Sequence, residues 1–65
     1  MVVVYKTYDV YPDGTKLYGF GGESTDNPKP TDWDGKDIGV ASLFLELDTG
    51  DFYYFDGTTW SKVGG

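Results

Sequence analysis

The run Ala41-Ser42-Leu43-Phe44-Leu45-Glu46-Leu47-Asp48-Thr49-Gly50-Asp51-Phe52-Tyr53-Tyr54-Phe55 decides the fold class. Leu43, Leu45 and Leu47 alternate with Phe44 and Glu46, and a period of two is the mark of a strand. Phe52 to Phe55 forms the next strand, because aromatic residues suit a pleated surface. Between the two lies Asp-Thr-Gly, the tripeptide that carries the catalytic aspartate in aspartic proteases. Those enzymes need two carboxylates about 3 Å apart sharing one proton, so a single copy would act only in a dimer. Glu46 stands where an apolar residue is usual there, and Asp51 would set a further charge beside the pair. The other reading asks for less. Asp48 accepts local N–H bonds and Gly50 supplies a positive φ, so residues 48–51 turn a hairpin. A short motif without its context has little weight, and Asp48 is read as a corner.

The same signals extend in both directions. Val2 to Tyr11 is rich in β-branched and aromatic residues, Pro12-Asp13-Gly14 is a turn, and Thr15 to Phe20 returns. Asp56-Gly57 marks another tight turn before a final strand over Thr58 to Val63. From Gly21 to Gly39, "GGESTDNPKPTDWDGKDIG" combines glycine pairs, prolines and scattered charge. Loops longer than about 12–15 residues are usually functional or disordered, and Trp33 and Ile38 are the groups able to pin this one to a sheet. No segment has the apolar spacing of a helix. The expectation is one all-β domain: a small antiparallel sheet of four to five strands, built from two hairpins and a long acidic loop. Its parts are an N-terminal hairpin over 1–20, the loop over 21–39 and a C-terminal hairpin unit over 40–63. The expected core is Val2, Val4, Leu17, Tyr18, Phe20, Leu43, Phe44, Leu45, Leu47, Phe52, Tyr54 and Trp60; a one-residue register slip would turn half of these outward.

Composition narrows the function. In 65 residues there are two Trp, six Tyr and four Phe, and no Cys or His. Disulfides, thiolate metal sites and imidazole chemistry are therefore absent, and no cofactor or metal is expected. A domain this small buries only about 60% of its unfolded surface, so aromatic bulk or a partner subunit must supply what disulfides do not. The formal net charge is −6, which opposes binding to nucleic acid and to anionic membrane. Val2-Val3-Val4-Tyr5 is too short for a signal or membrane segment, so a protein used without an export signal is expected.

Three further constellations invite chemistry. Asp32, Asp34 and Asp37 surround a glycine turn, as calcium ligands do, but Lys36 falls at the fifth position of that loop and Leu43 at the twelfth. A calcium loop of the EF-hand kind needs acidic oxygens at both places, which leaves a solvated acidic turn. Glu46 with Asp48 or Asp51 would serve glycoside hydrolysis only in a cleft that so small a sheet does not readily build. Trp33 and Trp60 could stack on sugar rings, with Asp34, Asp56 or Asn27 orienting the hydroxyls; against this, a small β domain needs its aromatics for a core. An enzyme is not expected.

Lys29-Pro30-Thr31, then Gly39-Val40-Ala41-Ser42-Leu43-Phe44-Leu45-Glu46-Leu47-Asp48-Thr49-Gly50, then Phe52-Tyr53-Tyr54-Phe55-Asp56-Gly57-Thr58-Thr59-Trp60 resembles a hairpin pattern of small structural, fibre and tail proteins of tailed bacteriophages and prophages. About half of the chain carries the resemblance, and Ala-Ser replaces the more frequent Gly-Ser. It implies a virion or assembly protein made in the host cytoplasm: a capsid-associated decoration, head-fibre subunit or tail component. Its partners would be other virion proteins or copies of itself. Strand edges and surplus aromatics would make those contacts, with Val3, Tyr5, Tyr53 and Phe55 as the adhesive residues. The alternative is a glycan-binding module using Trp33 and Trp60.

Overall fold

The computed structural model describes residues 1–64, and among these there is no helix. Seven strands follow the chain: β1 (Val3–Val10), β2 (Lys16–Gly22), β3 (Asp32–Trp33), β4 (Lys36–Asp37), β5 (Leu43–Glu46), β6 (Phe52–Phe55) and β7 (Trp60–Lys62). Five of them form one sheet in the order β1-β2-β5-β6-β7, and β3 pairs with β4 alone. The chain is all-β, as its sequence implies, but the sheet is mixed. β2 and β5 run parallel, with Phe20 opposite Phe44 and Gly21 opposite Leu45, whereas every other neighbouring pair is antiparallel. This corrects the all-antiparallel expectation. A tight turn cannot join parallel strands, and the crossover takes a dozen or more residues. Residues 23–42 are that crossover.

Each turn has the chemistry its residues supply. Asp13 Oδ1 accepts from Thr15 N at 2.9 Å and from Thr15 Oγ1 at 2.7 Å, closing the β1–β2 hairpin. In the β6–β7 turn Asp56 Oδ1 accepts from the amides of Thr58 and Thr59, both at 2.8 Å. Between β3 and β4 lie Asp34 and Gly35 with φ of 54° and 80°. Two central residues with positive φ match the strand twist of a two-residue hairpin, and Asp-Gly is a favoured pair for it. The sequence reading of 21–39 as loop missed this hairpin, and also missed that β2 runs on through Gly21 and Gly22.

Register sorts the side chains onto two faces. Val4, Phe20, Phe44 and Tyr53 align across β1, β2, β5 and β6, with Phe55 opposite Trp60 on β7. The crossover lies over this side. Trp33 meets the Phe20 ring at 5.3 Å between centroids, Trp60 meets Phe44 at 5.9 Å and Phe55 at 5.3 Å, and buried Ile38 completes the core. Ser42, fully buried, ties the crossover to the sheet: its Oγ donates to Gly39 O at 2.8 Å and accepts from Tyr18 N at 3.1 Å. Leu47, Phe52 and Tyr54, expected in the core, are 65%, 42% and 42% exposed. They belong to the other face of the sheet, over which none of the described residues folds.

Candidate functional site

That open face is built by four strands. Val3 on β1 aligns with Gly21, Leu43 on β5 with Gly19 and with Tyr54 on β6, and Leu45 with Phe52. Gly19 and Gly21 bring no side chains of their own. The Tyr5 ring lies where a Cβ on Gly19 would be, 2.8 Å from that position, and Val3 Cγ2 sits 3.7 Å from the equivalent point on Gly21. The ring thus lies down along the glycines and keeps the face shallow. β1 slips register between Val4 and Lys6 and between Thr7 and Asp9, which makes Tyr5 and Tyr8 the extra residues of two bulges. Such bulges re-aim side chains, and here they deliver both tyrosines to the open side. The Tyr5 hydroxyl, donating toward the Tyr8 oxygen and partly buried, is raised above its ordinary value. Val3, Tyr5, Phe52 and Tyr54 are 42–51% exposed, and Leu43 and Leu45 between them are half-buried. None of these six residues is charged, while Lys6, opposite Gly19 on the edge strand, holds its Nζ 4.9 Å from the Tyr8 ring centre.

Of the adhesive residues expected from sequence, Val3 and Tyr5 are on this face. Tyr53 and Phe55 are not. Phe55 is 4% exposed beneath Trp60, and Tyr53 is half-buried with Lys29 Nζ 4.1 Å from its ring centre. Phe52 and Tyr54 hold the places assigned to them. The physical cause is a slip of one residue, which exchanges the two faces of a strand. A signal for the right register exists: the turn aligns Phe55 with Trp60, so a core Trp60 requires a core Phe55.

The covered side holds a second feature that the sequence did not announce. Lys29 Nζ pairs with Glu46 Oε2 at 3.0 Å, and the two side chains are only 9% and 5% exposed. The ammonium also lies 5.2 Å from the Phe44 ring centre, and Thr49 Oγ1 donates to Glu46 Oε1 at 2.9 Å. Both charges are thereby compensated, which a buried pair requires. Glu46 is a clasp between crossover and sheet.

Asp48 has a similar role. Its carboxylate accepts from Ser24 N at 2.9 Å and from the Ser24 hydroxyl, which lowers its pKa from the ordinary 3.8. Asp26 is lowered by the Glu23 amide and then by the Met1 ammonium; Asp13 by Thr15 and Asp56 by the Thr59 amide have the same sign. Among the described residues no group of three or more His, Cys, Asp or Glu could hold a metal ion.

The two tryptophans do not share one platform. Trp33 lines a depression of about 260 Å³ with Tyr18, Asp34 and Lys36. Trp60 lines another of about 300 Å³ with Asn27, Tyr53, Thr58 and Thr59, while its Nε1 donates to Pro30 O at 2.9 Å. Asn27 and Trp60, both considered for sugar, are therefore together; Asp56 is engaged in its turn.

Comparison with protein-family models, with curated proteins and with solved structures gives no match for this chain.

Proposed function

We propose that this protein is a non-enzymatic structural module that works by adhesion through its open sheet face, as a component of a phage particle. One observation carries the adhesion: Val3, Tyr5, Leu43, Leu45, Phe52 and Tyr54 make a shallow, solvent-facing apolar patch, bordered by Lys6 on β1, in a chain of net charge −6. Contiguous apolar surface of this kind marks protein interaction sites. The acids support the reading from the other side, since Asp13 and Asp56 fasten turns while Glu46 and Asp48 hold the crossover. The virion setting rests on the resemblance of residues 29–60 to phage structural proteins. A tagged copy expressed during infection should co-sediment with purified particles, and Tyr54→Lys should be lost from them. Recovery of the wild-type chain only in the soluble fraction removes the virion reading.

A second reading is a glycan subsite in the depression at Trp60, favoured by the joint presence of two aromatic rings, Asn27 and three threonines. Pockets for small ligands have this make-up of apolar floor and few polar groups. Titration of tryptophan fluorescence with cell-wall saccharides should shift the emission, and the shift should vanish in Asn27→Ala. No response to any saccharide removes this reading.

A further inference from the structure

We infer that the open face is closed by a second copy of this chain, two sheets stacking face to face about a two-fold axis. The inference rests on the adhesion reading above and names the partner. Charge placement is the first argument. Asp26 reaches Gly22 from the side of Phe44, and Trp33 packs on Phe20, so the acidic crossover with Glu23, Asp26, Asp32, Asp34 and Asp37 belongs to the covered side. Two copies of net charge −6 repel one another. Stacked through their open faces, about 10 Å apart as packed sheets are, they carry those acids on their two outer surfaces. Contact through the crossover would bring the acids together.

The edges are the second argument. β1 is bulged twice and β7 is only three residues long. Bulges and short strands are the devices that block edge-to-edge pairing, so the face remains as the surface for a copy.

Area is the third. Tyr5, Phe52 and Tyr54 are 51%, 42% and 42% exposed. Aromatic side chains carry about 150–250 Å² each, so these three leave roughly 200–350 Å² of ring in solvent. With Val3 and the leucines beside them the patch comes to roughly 400–500 Å², near the upper range for a monomer. A pair would bury about 800–1,000 Å², above most lattice contacts and just under the standard size for specific complexes. The pairing is therefore weak and depends on concentration.

Sedimentation velocity of the full chain, from a few to several hundred micromolar, tests this. The expected result is a monomer–dimer equilibrium that tightens as salt rises, because salt screens like charges. Tyr54→Lys should weaken it at least tenfold, and Thr58→Lys, on the β6–β7 turn, should leave it unchanged. A measurement on the wild type guards against a variant that merely unfolds. On concentration, NMR signals of the Leu43 and Leu45 methyls and the Tyr54 ring should shift, and those of Ile38 should not. Shifts centred on the crossover or on β1 backbone amides overturn the inference, as does open-ended assembly. A strict monomer at the highest concentration also overturns it. In that event, binding of an apolar dye that Tyr54→Lys abolishes would leave the adhesion reading standing with another partner. Absence of dye binding would remove both.

Discussion

The two faces of the sheet are made of the same residue types and have opposite fates. Phe55 and Tyr54 are adjacent in sequence, yet one is 4% exposed and the other 42%. What separates them is the crossover. Because β2 and β5 are parallel, residues 23–42 must travel from one end of the sheet to the other, and they do so over one side only. Trp33, Ile38 and Lys29 descend from that segment onto Phe20, Phe44 and Tyr53. Among the described residues the opposite side has no second layer, and it leaves Tyr5, Phe52 and Tyr54 largely in solvent. Burial here follows topology more than hydrophobicity.

The sharpest way to break this contrast is to remove one ring from each face. Phe55→Ala should cost about 3–5 kcal/mol, comparable with the whole stability of about 3–10 kcal/mol for a domain this small. Tyr54→Ala, measured in dilute solution, should cost about 1 kcal/mol or less, as exposed sites do. Urea unfolding of the two proteins reads the difference, and equal losses would show that the faces are not distinct. Next in size is the clasp. Lys29→Met leaves Glu46 buried without its cation and should cost about 3–5 kcal/mol, while Lys29→Met combined with Glu46→Leu should recover most of the loss. If the double variant is no better than the single one, the pair is not what fastens the crossover.

A smaller effect appears on acidification. The carboxyls of Asp13, Asp26, Asp48 and Asp56 are lowered in the folded chain from an ordinary 3.8. Their contribution is therefore complete above the unfolded value and is lost as pH falls through the folded ones. Unfolding midpoints should be level between about pH 5 and 7 as far as these groups decide, then drop below about pH 4. Asp48→Asn should flatten part of that drop. Smallest of all, Tyr8→Phe should bring the Tyr5 phenol back down toward its ordinary value, seen by ultraviolet titration, with little change in stability.

Much of this architecture was legible in the sequence. Alternation over Leu43 to Leu47, the aromatic strand and the Asp-Gly turns give strands close to their observed limits, and Asp48 does lie in the β5–β6 turn, though its carboxylate reaches to Ser24 rather than to local amides. The parallel pair was harder to see because strand direction is not a local property. Its trace was the length of the segment after β2, longer than a hairpin connection needs. The Asp34-Gly35 turn was equally visible, but its flanking strands are two residues each and too short for periodicity. The exposed residues were half right for a different reason. Gly19 and Gly21 identify the thin side of β2, and that side fixes the outward direction of Leu43, Leu45, Phe52 and Tyr54 through register alone. Lys29 and Glu46 lie far apart in the chain, and only the folded crossover brings them together.

The parallel seam also has a consequence for how the chain reaches its native state. Residues 1–22 and 43–63 each contain their own locally paired strands, and the middle of the sheet exists only once those two halves meet. Contacts of long sequence separation form late and slowly. Pairing within each half therefore closes short loops, whereas the β2–β5 seam closes only when the bridge of residues 23–42 brings the two halves together.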